Sequence, residues 1–480
     1  MDVGMIEWSD ELSPFDYMMF RADADPHSRT TIMTVELLDE VPDRTAFRLA
    51  MDRASRIVPR LRQHVVAPLV PLASARWVID PDFDLDYHLR WISLPGPAGL
   101  REVLDLAQID QATPLDPHRP LWEVTVIEGV EEGDARCALV WKLSHAVTDG
   151  VGGMILDRVI RSEERHPEPE ALPPVPTPED VTALDLTRSA ARGLPAALLR
   201  QGLRVASEAA GIAGQVVSDP SGTMEQALAV ASNIAKLNLT PPADPSPLLA
   251  GRSLHRRIIA YDLPLSALRN AAKAHDCSVN DAYLAAIGAA LGHYHDMMGV
   301  PVEAVPLAMP VNVRASGESG ISNNWTSAML ALPTDQPDPI RRMQQVREQV
   351  LTARTGSSLD PGRLVAPLAA WLPNAALAGA GPGMLGIDVQ ASNVPGHPDE
   401  RYIAGAKILS NVPIGPAPGV AMMVTMVSQA RHCYIGVNLD TAAVTDADAF
   451  AESLAWGFDD VVALGRADTT TSTPSTDGAA

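Results

Sequence analysis

Residues Cys137 to Gly153 read CALVWKLSHAVTDGVGG, and this stretch decides both the fold class and the site. Cys137 to Leu143 is apolar and β-prone, with Lys142 its single charge, the pattern of a mostly buried strand. Beyond Gly150, the residues Met154, Ile155, Val159 and Ile160 take up helical spacing. Between them lies Ser144-His145-Ala146-Val147-Thr148-Asp149-Gly150. A strand end thus delivers an imidazole, with a carboxylate four residues later, and Gly150 gives the backbone freedom to turn into the helix. An imidazole titrating near neutrality can take a proton from a hydroxyl and return one to a leaving group. A lone strand-end histidine is more often structural, so His145 needs support from the rest of the chain.

Composition sets the outer limits. The 480 residues suffice for two or three domains, and 46% apolar content argues against global disorder. A formal charge of −22 works against nucleic acid and against polybasic attachment to anionic lipid. Cys137, Cys277 and Cys433 give neither a disulfide framework nor a zinc spacing, so a cytoplasmic location is expected. Met1 to Asp10 is acidic and does not read as a secretory signal. The uncharged run Leu364 to Ile387 is long enough to span a bilayer, but Pro367, Pro373 and Pro382 favour a buried or interfacial segment.

The pattern predicts strands over Thr30–Leu38, Arg76–Ile79 and Val124–Ile127, with helices over Asp43–Val58 and Asp105–Pro117. His166 to Asp180 contains six prolines and reads as a stiff linker, followed by amphipathic helices in Leu184–Leu239. After Gly251 come helices over Leu265–His275, Ala282–Tyr294 and Pro339–Thr355. The strands expected there are Leu254–Tyr261, Val305–Val313, one from Ser322 to Leu332, Val389–Pro395, Met422–Ser428 and Tyr434–Leu439. Expected units are residues 1–165, a connecting stretch 166–250, a second unit 251–466 and a disordered tail 467–480. Strands and helices mix without a regular βαβ period, so the fold class is α+β.

His145-x-x-x-Asp149-Gly150 resembles the HHxxxDG signature of CoA-dependent acyltransferases and condensation domains. The sequence also contains Leu12-Ser13-Pro14-Phe15-Asp16, Arg119-Pro120-Leu121-Trp122-Glu123, Ser278-Val279-Asn280-Asp281, Pro310-Val311-Asn312-Val313-Arg314 and Ser392-Asn393-Val394-Pro395-Gly396. Their order and span resemble the bacterial wax ester synthase/acyl-CoA:diacylglycerol acyltransferase family. One departure is that Ser144 occupies the place of the family's first histidine; the adjacent-residue geometry of a strand argues against a Ser144–His145 nucleophile pair. Ser144 is read as a small packing substitute.

That resemblance implies two chloramphenicol-acetyltransferase-like domains in one chain, with an active-site tunnel between them. It implies transfer of a long-chain acyl group from acyl-CoA to the hydroxyl of diacylglycerol or a long-chain alcohol. His145 would be the general base, and Asp149 would hold the loop, with Arg314 as its expected partner. Asn280 is a candidate oxyanion donor, although Ser278 or Asn280 could simply cap the helix that follows; Asp281 belongs to the same motif. No metal or redox cofactor is required, since CoA arrives with the donor. Lipid substrates point to a membrane or lipid-droplet surface, including the inner face of the plasma membrane, as a peripheral site.

Other chemistries find less support. The glycines form no GxGxxG or P-loop, there is no GxSxG elbow, and His293 and His295 fall on different helix faces. Two alternatives stay open: a non-catalytic lipid- or acyl-CoA-binding homologue, suggested by Ser144, and an acyltransferase with a different hydroxyl acceptor.

Overall fold

The structure, a computed structural model, describes residues 8–70, 73–147, 150–168, 170–193, 241–312, 325–355 and 386–467. Among them the first half comprises α1 (Pro14–Ala22), β1 (Thr31–Leu38), α2 (Arg44–Ile57), β2 (Gln63–Val66), β3 (Arg76–Ile79), α3 (Leu85–His88), β4 (Leu89–Ala98), α4 (Leu100–Ala112), β5 (Trp122–Glu132), β6 (Ala135–Ser144), α5 (Gly150–Ile160) and α6 (Ala183–Gly193). The second half comprises β7 (Arg256–Pro264), α7 (Leu265–Ala274), α8 (Val279–Met297), β8 (Ala304–Asn312), β9 (Trp325–Pro333), α9 (Pro339–Thr355), β10 (Val389–Pro395), β11 (Tyr402–Ile403), β12 (Ala406–Ile414), β13 (Met422–Gln429), β14 (His432–Asp440), α10 (Ala447–Val462) and α11 (Leu464–Ala467). The α+β expectation holds.

Two six-stranded sheets carry the fold, ordered β11-β12-β1-β6-β5-β4 and β7-β14-β13-β10-β8-β9. Strand β6 lies inside the first, antiparallel to β1 and β5. Its alternation sends Cys137, Leu139 and Trp141 into a core with α2 and α5, and Ala138 and Val140 into a second core with α4. Lys142, 1% exposed, lies on the α4 side, where Nζ is 2.9 Å from Asp110 Oδ1 and 3.8 Å from Glu123 Oε2. A buried cation in mid-strand is thereby paired.

The second sheet packs on α8, a helix apolar on almost every face and therefore covered on both sides. Gly457 of α10 makes this possible: a Cβ there would sit 2.4 Å from the Ala286 carbonyl oxygen of α8.

The two halves interlock. Residues 402–414, inside the expected unit 251–466, pair as β11 and β12 onto the edge of the first sheet, β12 antiparallel to β1. Gly436 of β14 lies against this crossing strand, where a Cβ would be 1.8 Å from the Pro413 carbonyl oxygen. Only glycine permits that approach.

Boundary differences have local causes. The helix expected at Asp105–Pro117 runs from Leu100 to Ala112, because the Glu102 carboxylate accepts from the Gly99 N–H at 2.8 Å and starts it earlier. Short or polar-interrupted strands β2, β4 and β12 had no clear alternation to announce them. The helices expected after Gly193, most of Leu364–Ile387 and all but the first residue of the 467–480 tail lie outside the described residues.

Candidate active site

His145 stands in the turn immediately after β6, half-buried. That turn is pinned from both sides. The Ser144 N–H donates to the Leu121 carbonyl at 3.0 Å, and the Val147 N–H donates back to the Ser144 carbonyl at 3.0 Å. Ser144 Oγ donates to Asp23 Oδ2 at 2.5 Å and accepts from the Ala146 N–H at 3.3 Å. The other oxygen of Asp23 accepts from the Thr30 N–H at 2.7 Å and the Thr30 hydroxyl at 2.8 Å. Burial pushes the Asp23 carboxyl above its ordinary pKa, with the Ser144 and Thr30 hydrogen bonds opposing that rise. Ser144 is fully buried, as a packing substitute would be, but its hydroxyl joins the loop to Asp23. A role confined to packing is therefore corrected.

The other motifs converge on the same turn. Leu12 of LSPFD shares an apolar cluster with Leu121 of RPLWE and with Ala146 and Val147 of the turn. Ser13 caps α1, its Oγ accepting from the Asp16 N–H at 3.0 Å. Trp122 Nε1 donates to the Leu61 carbonyl at 2.9 Å, while Glu123 accepts from Arg90 at 2.6 Å.

A buried charge network holds the flanks. Trp141 Nε1 donates to Glu36 Oε2 at 2.8 Å, and Arg161 reaches Glu36 Oε1 at 2.7 Å and Asp157 at 2.8 Å. Asp157 of α5 also accepts from Arg401 at 3.1 Å, just before β11. Strand β6, helix α5 and the crossing segment are thus joined by charges. Asp23, Glu36, Arg161 and Arg401 were not among the expected site residues, since no local pattern marks partners so distant in the chain.

Ser278-Val279-Asn280-Asp281 divides its labour. Ser278 and Asp281 form a reciprocal capping box: the Ser278 N–H donates to Asp281 Oδ2 at 2.7 Å, and Ser278 Oγ accepts from the Asp281 N–H at 3.2 Å. Asn280 takes no part in it. Its Oδ1 accepts from Asn393 Nδ2 at 3.5 Å, while its Nδ2 faces Met309 Sδ at 3.8 Å. A thioether is a weak acceptor, so this amide can turn to a stronger one. Asn393 belongs to SNVPG, and Met309 precedes the PVNVR motif. Asn280, Asn393 and the strand that leads into PVNVR thus meet in the second half, as Leu12, Leu121 and the His145 turn meet in the first. Asp149 and Arg314 lie outside the described residues; Gly150 is the first residue of α5.

His293 and His295 have structural partners, Ser453 Oγ at 2.9 Å and Ser246 Oγ at 2.7 Å respectively. No helix among the described residues is long and apolar enough to cross a membrane.

The wax ester synthase/diacylglycerol acyltransferase catalytic-domain model matches residues 8–283, and the C-terminal domain model of the same family matches residues 321–461. A Mycobacterium tuberculosis H37Rv protein, given by its name as a prospective diacylglycerol O-acyltransferase, is 46% identical over 457 residues, covering 95% of this chain and 92% of its own. A second protein of that strain, given as the prospective diacylglycerol O-acyltransferase tgs1, is 30% identical over 452 residues, covering 92% of each. Among solved structures, the wax ester synthase/diacylglycerol acyltransferase from Marinobacter aquaeolei VT8 superposes with a TM-score of 0.62 at 22% identity, over 95% of this chain and all of that one. The starter condensation domain of rhizomide synthetase, solved with C8-CoA and Leu-SNAC, gives 0.53 at 17% identity, over 95% and 94%. The two-sheet fold is accordingly the one shared by chloramphenicol-acetyltransferase-like proteins. With the HxxxDG turn, five ordered motifs and both family domains along its length, the chain belongs to the wax ester synthase/diacylglycerol acyltransferase family and is an acyltransferase.

Proposed function

We propose that the protein transfers a long-chain acyl group from acyl-CoA to the hydroxyl of diacylglycerol, with long-chain alcohols as further acceptors. The observation that carries this reading is His145, set on a turn fixed by Ser144, Leu121 and Asp23 at the end of a buried strand. Its imidazole removes the acceptor's hydroxyl proton as that oxygen attacks the thioester carbonyl. The C–S bond then breaks, and the departing CoA thiolate takes the proton from the imidazolium. Asn280 Nδ2 is the proposed donor to the tetrahedral oxyanion, a contribution of about 3 kcal/mol. Asp149 is proposed to hold the loop, with Arg314 its counter-ion. The names of the relatives favour diacylglycerol as the acceptor.

The test is incubation of purified protein with labelled palmitoyl-CoA and a panel of diacylglycerol and fatty alcohols, with His145→Ala alongside. Ester from the wild type and at least 100-fold less from the variant is expected. Equal product from both removes His145 as the base. Binding of acyl-CoA without product from either favours a binding homologue or another acceptor.

A further inference from the structure

Among the described residues, the parallel pairing of β8 with β10 covers only Leu307 with Val389 and Ala308 with Gln390, although β8 runs on to Asn312 and β10 to Pro395. Where the two strands part, the first turn of α8 reaches both. Asn280 sets its Nδ2 3.8 Å from Met309 Sδ of β8, and its Oδ1 accepts from Asn393 Nδ2 of β10 at 3.5 Å. Val389 and Ala391 face the α8 core, and the alternation of β10 puts Asn393 on that same side. One helical turn beyond Asn280, the Tyr283 hydroxyl lies 3.0 Å from the Val424 carbonyl oxygen and 3.2 Å from that of Ser392. The backbone that carries Asn393 is thereby tied to α8 and β13. Asn280 and Asn393 are themselves only half-buried, which leaves them surface that a reactant can reach.

A carboxamide has one accepting end and one donating end, and its neighbours decide which end is left for a reactant. Here they select one arrangement. Met309 Sδ has no proton to give, so with the Asn280 amide reversed two acceptors would face each other. Asn393 Nδ2 meanwhile occupies the Asn280 oxygen. The nitrogen is left against a thioether, a weak acceptor. A negatively charged oxygen accepts far more strongly and draws that nitrogen away at little cost.

We propose that Asn393 is a positioning residue for acyl transfer: by donating to Asn280 Oδ1, with Met309 Sδ beside Nδ2, it holds the Asn280 amide with its donor end available to the tetrahedral oxyanion. The inference rests on Asn280 as the oxyanion donor, proposed above. In this role Asn393 touches no reacting atom and acts through Asn280 alone. A side chain of the same size that can only accept would turn the Asn280 nitrogen toward itself and its oxygen toward the thioether.

The test measures kcat and KM for palmitoyl-CoA and diacylglycerol in the full chain. The variants are Asn280→Ala, Asn393→Ala, Asn393→Asp and Asn280→Ala with Asn393→Asp, each checked for its melting temperature. Asn280→Ala is expected to lower kcat about 100-fold. Asn393→Asp keeps the size but cannot donate, so it lowers kcat about tenfold or more with KM unchanged. Its loss exceeds that of Asn393→Ala, which leaves the amide unguided. In the double variant the aspartate adds no further loss, which separates its effect on the amide from repulsion between its charge and the oxyanion. A folded Asn280→Ala with wild-type kcat overturns the oxyanion reading and this inference with it. Loss in Asn280→Ala but not in Asn393→Asp overturns this inference alone. So does further loss in the double variant, or a larger loss in Asn393→Ala than in Asn393→Asp, the order a packing role gives. Should Asn393→Asp not fold, Asn393→Ala with and without Asn280 decides: an equal fold-loss in both backgrounds overturns the proposal, and a loss confined to the chain that keeps Asn280 supports it.

Discussion

Ser144 Oγ lies 2.5 Å from Asp23 Oδ2, a hydrogen bond spanning 121 residues of sequence. It makes the residue beside His145 the anchor of its turn, although the family motif places a histidine there. Ser144→Ala leaves a poorly solvated carboxylate short of one donor, costing about 1.5–3 kcal/mol. With His145 as the proposed base, its displacement by even 1 Å is expected to lower turnover by up to about 100-fold. Melting temperature and acyl transfer rate, measured for Ser144→Ala, Asp23→Asn and the double variant, check both. The singles should be strongly non-additive; purely additive effects would show that the pair does not act as a unit.

Arg401 is 3% exposed and binds Asp157 of α5 at 3.1 Å. Arg401→Ala leaves Asp157 with Arg161 as its remaining cation and removes the tie between α5 and the crossing segment. A loss of about 1.5–3 kcal/mol, that of one charged hydrogen bond, is expected by denaturant titration. Arg401→Met, which keeps the volume and drops the charge, should be no milder, because Asp157 keeps only Arg161.

Gly436→Ala places a methyl where the Pro413 carbonyl already sits, 1.8 Å from the ideal Cβ position. Either β14 or β12 must move. The cost is about 1–3 kcal/mol or more, and proteolysis should cut residues 402–414 faster than in the wild type.

His88 is fully buried, stacked on Trp122 with ring centres 4.5 Å apart, and its Nδ1 is 2.7 Å from the Trp122 carbonyl oxygen. Burial lowers its pKa from 6.5 to about 4. Between these values the unfolded chain binds a proton that the folded chain does not, so stability rises with pH across the window and is lost as pH falls through it. The contribution is about 3 kcal/mol. Unfolding free energy measured from pH 4 to 7 should show this slope, and His88→Gln should remove it.

The sequence alone determined the local structure wherever one face of an element is apolar and its end is chemically marked. The expected Arg76–Ile79 strand and Pro339–Thr355 helix have the observed bounds. The His145 turn was legible because an apolar strand, a glycine and a helical period meet there. So was the ambiguity of Ser278 and Asn280, since serine, asparagine and aspartate near a helix start are all plausible caps. Tertiary structure then gave the cap to Ser278 and Asp281 and turned Asn280 toward Asn393 and Met309. It also decided that β12 leaves its own half to pair with β1, and that Asp23, not a neighbouring residue, holds Ser144. The reason is physical. Periodicity and capping depend on residues a few positions apart, whereas pairing of a buried carboxylate or a crossing strand depends on which distant surfaces the closed chain brings within about 3 Å.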